Sequence, residues 1–342
     1  MMGTAPAMAE ACGPLKLINS IDLLPGPGGG PRVMVPVTVN KTPLKMLLST
    51  AGALTTLNAG AAKALSLHVL NDSNVKLLDS AGNASRSYVT LNSFQIGRLA
   101  GENMEMLLTP GSTPDAEGPF DGILSGDLMS RYDVELDFAG HKMNYFSPDH
   151  CEGKVIYWPA SAVAAAPFTM TRPDNSPIGQ RANFSSLRDT HIRVPVTLDG
   201  KTFRADISTG SANSTMSAKT AERVFDITAD SPGSVPLGPV GNDPRNKRFG
   251  HVFKTLTFEG ISVTNAHVII IPDLIGTKDP DNGFTTASRV QRVDDGLGSE
   301  VTIGMDVLRH LHLYIAYGEH KLYLTPADAP APANAPVPAS PQ

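Results

Sequence analysis

An internal repeat constrains this chain more than any other feature of its sequence. Residues 35–38 (VPVT) recur as residues 194–197, and the same ungapped register aligns Ser49-Thr50 with Ser208-Thr209. A match of this kind in the two halves indicates that one structural unit was duplicated.

A second matching block closes each half. In this block, Leu124 and Asp127 align with Ile303 and Asp306. We expect both aspartates to anchor a helix or a turn, which is a structural role. Agreement over two separate blocks favours a common ancestor for the halves, and 342 residues suffice for two domains with substantial cores.

The local patterns predict mostly strands. Apolar and polar residues alternate over 33–39 and 192–198, as in half-buried strands. Further strands are predicted at 44–48, 88–96, 103–108, 134–138, 143–146, 203–207, 252–258, 266–271, 311–317 and 322–324. Two short helices are predicted after capping residues, at 59–67 after Asn58 and at 218–225 after Ser217. Many short strands between turn residues predict an all-β barrel or sandwich.

The order of these features resembles one lobe of a retropepsin-like aspartic peptidase, and two such lobes in one chain resemble a bacterial two-lobed aspartyl protease. The best-matching residues are 207–212 (ISTGSA) and 303–308 (IGMDVL) in the second half. The first half departs from the pattern. Ala51-Gly52 has alanine where the turn glycine is expected, and Ser125-Gly126 has its glycine one place late.

The resemblance implies an all-β fold of two homologous retropepsin-like (acid-protease) barrels with short helices. The expected segments are a signal remnant and N-terminal segment at 1–32, a first lobe at 33–150, an inter-lobe linker at 151–190 with one docked strand around 155–158, a second lobe at 191–326 and a disordered Ala/Pro tail at 327–342.

The resemblance also identifies the candidate catalytic positions. In active members of the family each lobe supplies one aspartate from an Asp-Thr-Gly turn, and the pair shares a proton while it activates water. Serine occupies both positions here. The dyad positions are Ser49 and Ser208, and the active-site turns comprise Thr50, Ala51, Gly52, Thr209 and Gly210. The threonine hydroxyls are implied to hydrogen-bond across the lobes.

Each lobe of this family carries a flap that closes over a peptide. The matching segments are 78–86 and 237–247, with Ser80, Gly82, Gly238 and Gly241 as the flap candidates. An ordinary exposed loop has the same composition, so this alternative stays open.

Two other interpretations concern residues near the dyad positions. Ser49 or Ser208 with a histidine base would form a nucleophilic hydrolase, and His191 and His251 are the histidines of the second lobe. No Gly-x-Ser-x-Gly elbow surrounds either serine. Asp206 lies two residues before Ser208 and would share its face on a regular strand, where it would supply a displaced carboxylate. We prefer an aspartate that faces the surface or pairs with Arg204.

Composition excludes several classes of partner. The net charge is −5 and no Lys/Arg-rich run occurs, so nucleic acid is not expected. No segment approaches the roughly 20 apolar residues that span a bilayer. The closest histidine pair, His310-x-His312, has no further ligands in its neighbourhood, so neither a metal nor another cofactor is expected.

Cys12 and Cys151 flank the first half of the chain and are predicted to form a disulfide. The pattern Ala-Met-Ala at residues 7–9 resembles the end of a secretory signal and implies an oxidising compartment, either periplasmic or extracellular. Two free thiols are the alternative.

Two functional hypotheses follow, and they leave open whether this chain is an enzyme. The first is a pseudoprotease that binds a peptide or an unfolded protein segment in an inter-lobe cleft. The departures at Ala51-Gly52 and Ser125-Gly126 favour this hypothesis, because they suggest natural drift of the sequence. The second is an active aspartic endopeptidase in its native form, inactivated here by Asp-to-Ser substitution. A structural role ranks third, and the sequence predicts no oligomeric state.

Overall fold

The computed structural model describes residues 12–52, 54–71, 75–78, 84–109, 120–169, 191–239, 247–272, 291–294 and 300–327. Within these ranges the chain is almost entirely β-structure with short helices. The helices are α1 Ala59–Ala64, α2 Gly126–Met129, α3 Ala218–Phe225 and α4 Met305–Leu308. None of them is long and apolar enough to cross a bilayer.

The strands fall into two similar series. In the first half they are β1 Leu17–Asp22, β2 Leu24–Pro25, β3 Val33–Val39, β4 Thr42–Leu48, β5 Thr56–Leu57, β6 Val69–Asn71, β7 Val75–Leu78, β8 Ala84–Ser85, β9 Ser87–Ile96, β10 Leu99–Leu108, β11 Gly122–Leu124, β12 Asp133–Asp137 and β13 Lys142–Phe146. In the second half they are β14 Ala164–Pro167, β15 Arg193–Leu198, β16 Lys201–Ile207, β17 Thr215–Ser217, β18 Val235–Pro239, β19 Lys247–Phe258, β20 Ile261–Ile271, β21 Gln291–Asp294, β22 Val301–Ile303, β23 Leu311–Ala316 and β24 Lys321–Pro326.

The two lobes have the same strand order. The first-lobe sheet runs β3-β4-β11-β5-β10-β9-β6, with β2 added beside β3, and the second runs β15-β16-β22-β17-β20-β19-β18. Additional pairings of β3 with β9 and of β15 with β19 close each sheet into a barrel. The predicted all-β fold of two homologous retropepsin-like lobes with short helices is therefore confirmed.

A third sheet joins the lobes. Its order is β1-β13-β12-β23-β24-β14, so that each lobe contributes strands and β12 pairs antiparallel with β23 at the centre. The predicted docked strand lies at β14 rather than around residues 155–158. That predicted segment is instead an irregular stretch, although Val155 is buried and the Trp158 indole donates a hydrogen bond to Thr325.

A smaller sheet has the order β21-β7-β8 and also combines both halves of the chain. In it, β21 pairs in parallel with β7, with Gln291 opposite Val75 and Asp294 opposite Leu78.

The predicted caps begin both longer helices. The Asn58 side chain accepts a hydrogen bond from the Ala61 amide, and the Ser217 hydroxyl accepts one from the Thr220 amide. The prediction for α1 is too long at its end. The helix stops at Ala64 because Ser66 takes a left-handed conformation with φ 53°.

The predicted disulfide between Cys12 and Cys151 is present. It ties the segment before β1 to the segment after β13. A buried ion pair holds the same segment, because the Nε2 atom of His150, the residue before Cys151, lies 2.5 Å from the Asp133 Oδ2 atom. The Ala/Pro tail prediction lies outside the described residues beyond Ala327.

Candidate functional site

The two dyad positions occupy equivalent places in the two lobes. Ser49 follows β4 and its amide donates to the Leu124 carbonyl at 2.9 Å, while Ser208 follows β16 and its amide donates to the Ile303 carbonyl at 2.9 Å. Both serines are buried, with 9% and 4% of their surface exposed. The neighbouring strands β11 and β22 therefore fix each turn at its first residue.

The next residue of each turn joins the lobes. The Thr209 hydroxyl donates to the Leu48 carbonyl at 2.9 Å and accepts from the Thr50 amide at 3.1 Å. In the reverse direction, the Thr50 hydroxyl donates to the Ile207 carbonyl and accepts from the Thr209 amide at 3.1 Å. Both threonines are fully buried. These are the cross-lobe hydrogen bonds that the resemblance implies.

The two turns also touch directly. A Cβ atom added to Gly210 would lie 2.6 Å from the Ser49 hydroxyl oxygen, so only glycine allows the second turn to approach the first so closely. The equivalent first-lobe residue, Ala51, is buried with its methyl group accommodated. The buried guanidinium of Arg32 adds a further contact, because its Nη1 atom donates to the Gly210 carbonyl at 3.4 Å.

Asp127 anchors the first-lobe turn. Its Oδ1 atom accepts from the Thr55 amide at 2.9 Å and from the Thr55 hydroxyl at 2.6 Å. The same hydroxyl accepts from the Ser125 amide at 3.1 Å, which connects the end of β11 to the chain that follows the turn. Burial raises the pKa of the Asp127 carboxyl, and the hydrogen bonds from Thr55 oppose that shift.

Asp306 makes the same contacts in the second lobe. Its Oδ1 atom accepts from the Ser214 amide at 2.9 Å and from the Ser214 hydroxyl at 2.7 Å, and that hydroxyl accepts from the Gly304 amide at 3.0 Å. The expected anchoring role thus describes the contacts of both aspartates. Each carboxylate is used inside its own lobe and is not a substitute for a dyad aspartate.

The Ser208 hydroxyl has a serine partner. It lies 3.0 Å from the Ser211 hydroxyl, within hydrogen-bonding distance. The contacts of the described residues give no support to a Ser208–histidine pair. His251 instead packs its ring edge against Phe253, at a centroid separation of 5.1 Å.

The preferred interpretation of Asp206 is wrong. Asp206 is fully buried, and its Oδ1 atom lies 3.0 Å from the Nε atom of Arg193, its register partner on β15. Arg204 is exposed and donates to the Thr169 hydroxyl. At the equivalent first-lobe positions, the apolar residues Met34 and Leu47 face each other across β3 and β4.

His312 has a structural environment. Its Nε2 atom lies 2.8 Å from the Glu135 Oε1 atom, and its ring stacks on Trp158 at a centroid distance of 3.9 Å. His310 is a turn residue, whose Nε2 atom lies 3.2 Å from the Arg309 Nε atom. In the part of the chain that the structure describes, no three His, Cys, Asp or Glu side chains are grouped as metal ligands.

The flap candidates are only partly visible. Ser80, Gly82 and Gly241 lie outside the described residues. Gly238 lies in β18 with φ 82°, and β18 pairs with β19 on either side of the 240–246 segment. In the first lobe β7 and β8 flank residues 79–83 in the same way. Paired strands thus flank both candidate flap segments.

Two contacts at the turns were missed from the sequence, although the repeat contains a signal for each. Arg32 lies two residues before Met34, which pairs with Leu47, so the hairpin register places Arg32 opposite Ser49. Ser211 is the third residue after Ser208, and the repeat aligns it with Gly52. Extending the hairpin register past the strand ends identifies Arg32, and the spacing from Ser208 identifies Ser211.

Residues 35–128 match the family model described as aspartyl protease. No curated protein sequence matches the chain. Among solved structures, the chain is similar to basic 7S globulin from soybean, with a TM-score of 0.47 and 9% identity over 91% of this chain and 96% of that one. It is also similar to the protein titled edgp, with a TM-score of 0.46 and 8% identity over 90% of this chain and 96% of that one. Residues 35–128 are therefore aspartyl protease-like in sequence, and the second lobe repeats their strand order and their turn contacts.

Proposed function

We propose that this protein binds a peptide or an unfolded protein segment in a cleft between its lobes and does not cleave it. The observation that carries this proposal is the pair of buried serines at positions 49 and 208, within turns that keep the cross-lobe threonine contacts. The cross-lobe threonine contacts and the Asp127 and Asp306 anchors support the proposal, because they surround two positions that carry serine.

The chemistry of the hydroxyl supports a binding role. An aspartate dyad works because one carboxylate takes a proton from water while the other donates one. General acid–base catalysis contributes about 10²–10⁴-fold to a rate, and a serine hydroxyl does not ionise near neutral pH. Ser49 and Ser208 retain the capacity to donate and accept hydrogen bonds, which a bound peptide main chain requires.

Binding and cleavage are tested together with fluorescently labelled, unfolded casein. We expect the unchanged chain to raise the fluorescence anisotropy of the label in a saturable manner and to release no fragments. Cleavage by the unchanged chain, abolished by an aspartic-protease inhibitor, would overturn the proposal. Absence of any saturable binding would overturn it as well and would favour the structural role.

The second candidate is an aspartic endopeptidase that is active in its native form. The turn contacts favour it, because the threonine and Asp127/Asp306 hydrogen bonds are kept in both lobes. Ser49→Asp combined with Ser208→Asp should then give cleavage of unfolded casein at acidic pH. Each single substitution is the matched control, because one carboxylate cannot serve as both acid and base. A folded double variant without activity would remove this candidate.

The proposed compartment is periplasmic or extracellular. The disulfide between Cys12 and Cys151 supports it, because disulfides persist in oxidising environments and are rare in reducing ones. Fractionation of cells that express the full chain tests this assignment, with recovery in a reducing compartment as the contrary outcome.

A further inference from the structure

At two aligned pairs of positions, the lobes carry serine and glycine in opposite order. The repeat aligns Gly52 with Ser211 and aligns Ser125 with Gly304. The first lobe therefore has its hydroxyl on the segment after β11, while the second has its hydroxyl on the turn itself. Taken separately, the two first-lobe residues are departures from the pattern of the family. In the folded chain, the Ser125 side chain lies against Gly52.

In the second lobe the arrangement leaves no freedom at position 304. A Cβ atom there would lie 2.4 Å from the carbonyl carbon of Asn213 and 2.8 Å from the amide nitrogen of Ser214. These are backbone atoms, so they cannot move aside as a flexible side chain would. The hydroxyl beside Ser208 comes from Ser211 instead, at 3.0 Å.

In the first lobe, the hydroxyl near the dyad position belongs to Ser125, on the segment after β11, and not to a residue of the turn. A Cβ atom added to Gly52 would lie 2.2 Å from the Ser125 hydroxyl oxygen and 3.2 Å from the Ser49 hydroxyl oxygen. The Ser125 hydroxyl thus fills the volume that a side chain at position 52 would occupy, and it lies close to the dyad position.

The Ser125 hydroxyl has no other function that the described contacts reveal. Ser125 is fully buried and precedes α2 as its N-cap residue, yet its side chain makes no capping hydrogen bond. Its oxygen also makes no hydrogen bond within the described part of the chain. A buried hydroxyl without a partner is costly, which points to a partner that binds beside it or to a carboxylate at position 49.

We propose that Ser125 is the positioning residue for the group at position 49, as Ser211 is for the group at position 208, and that residue 52 is glycine in order to admit the Ser125 hydroxyl. The packing part of this inference is independent of the proposed function, whereas the hydrogen-bonding part rests on the proposed site. The departures at Gly52 and Ser125 are accordingly a compensated pair, whereas the alanine at position 51 is a separate departure.

Thermal unfolding of the full chain tests the packing part. Gly52→Ser should lower Tm by roughly 5 °C, because its side chain meets the Ser125 hydroxyl, and Ser125→Gly added to it should restore most of the loss. The matched control is Gly304→Ser with Ser211→Gly, which should show no rescue because backbone atoms cause that clash. A first-lobe double variant no more stable than Gly52→Ser alone would overturn the proposal, including the case in which neither folds.

Carboxyl titration by carbon-13 NMR tests the positioning part without requiring activity. In the Ser49→Asp chain, Ser125→Ala should raise the pKa of the introduced carboxyl by about one pH unit, because a hydrogen bond to the ionised form is lost. In the Ser208→Asp chain, Ser211→Ala should have a similar effect. An unchanged titration on Ser125→Ala would overturn the positioning role. If the shift appears although the unchanged chain binds no casein, the proposed function fails and this inference stands.

Discussion

The amide nitrogen of Thr50 lies 3.1 Å from the Thr209 hydroxyl oxygen, and the amide nitrogen of Thr209 lies 3.1 Å from the Thr50 hydroxyl oxygen. Each lobe therefore completes the turn of the other. This reciprocity makes the geometry at Ser49 and Ser208 a property of the joined lobes, and it gives the first prediction.

Thr50→Val should reduce the free energy of unfolding by about 2 kcal/mol, because the Ile207 carbonyl and the Thr209 amide lose a buried partner. Thr209→Val should act similarly, and the double variant should lose less than the sum, since both changes break one network. Urea unfolding measures the cycle. Thr50→Ser keeps the hydroxyl and is the control, and strict additivity would contradict the predicted coupling.

Asp306→Ala should cost about 3 kcal/mol, because the amide and the hydroxyl of Ser214 both lose a charged acceptor. Asp127→Ala should cost a similar amount through Thr55. Urea unfolding measures both losses. The exposed Asp230→Ala should change stability by less than about 0.5 kcal/mol. Equal effects at Asp230 and Asp306 would remove the anchoring role.

Loss of the disulfide should be costly because the Cys12–Cys151 bridge spans a sequence separation of 139 residues. In the chain-entropy account, a loop of this length contributes about 5 kcal/mol. Cys12→Ser with Cys151→Ser should show this loss in urea unfolding under oxidising conditions. Addition of a reductant should then destabilise the unchanged chain but leave the double variant unaffected, and a reductant effect on both would point to another cause.

The His150–Asp133 pair should make stability depend on pH. Burial lowers the pKa of the His150 imidazole. The hydrogen bonds to the Asp133 carboxylate and the Cys151 carbonyl, together with the charges of Asp133 and Glu319, outweigh burial, so the net effect raises the pKa above its usual value. A raised pKa means that the contribution is complete below the unfolded-state value and is lost as pH rises through the folded-state value. Burial also raises the pKa of the Asp133 carboxyl. Titration of this carboxyl therefore also makes stability fall as pH rises through its folded-state pKa.

We therefore expect His150→Ala to cost about 3 kcal/mol near pH 5.5 and clearly less near pH 8.5. Urea unfolding of the unchanged chain and the variant at both pH values measures the difference. His68→Ala is the control on an exposed histidine and should show no such change. A loss at His150 that is the same at both pH values would show that packing, and not charge, accounts for it.

The repeat predicts the barrels well because it aligns strands, turns and anchors at once. The alternation at residues 33–39 marks β3, and the caps at Asn58 and Ser217 mark the starts of α1 and α3. These features depend on short stretches of sequence, which carry their own signal. The cross-lobe hydrogen bonds of Thr50 and Thr209 are implied by the family resemblance, and both are present.

The errors concern contacts that the lobes or distant strands make together. The alanine-rich β14 lacks the β-branched residues that mark a strand, and it is a strand because β24 offers it an edge. Asp206 pairs with Arg193 because the β15–β16 register faces them, and no local pattern distinguishes Arg193 from Arg204. The coupling of Ser125 to Gly52 is likewise visible only once both segments are folded.

The central pairing of β12 with β23 has a consequence for any half of this molecule. Val134 faces Ile315 and Leu136 faces Leu313, so a chain cut between the lobes would expose the unpaired edge of an apolar strand on each fragment. In two copies of one fragment, these unpaired edge strands could pair with each other in place of the missing strand. We expect the separated N-terminal half to self-associate, whereas in the intact chain β23 of the same polypeptide covers this edge.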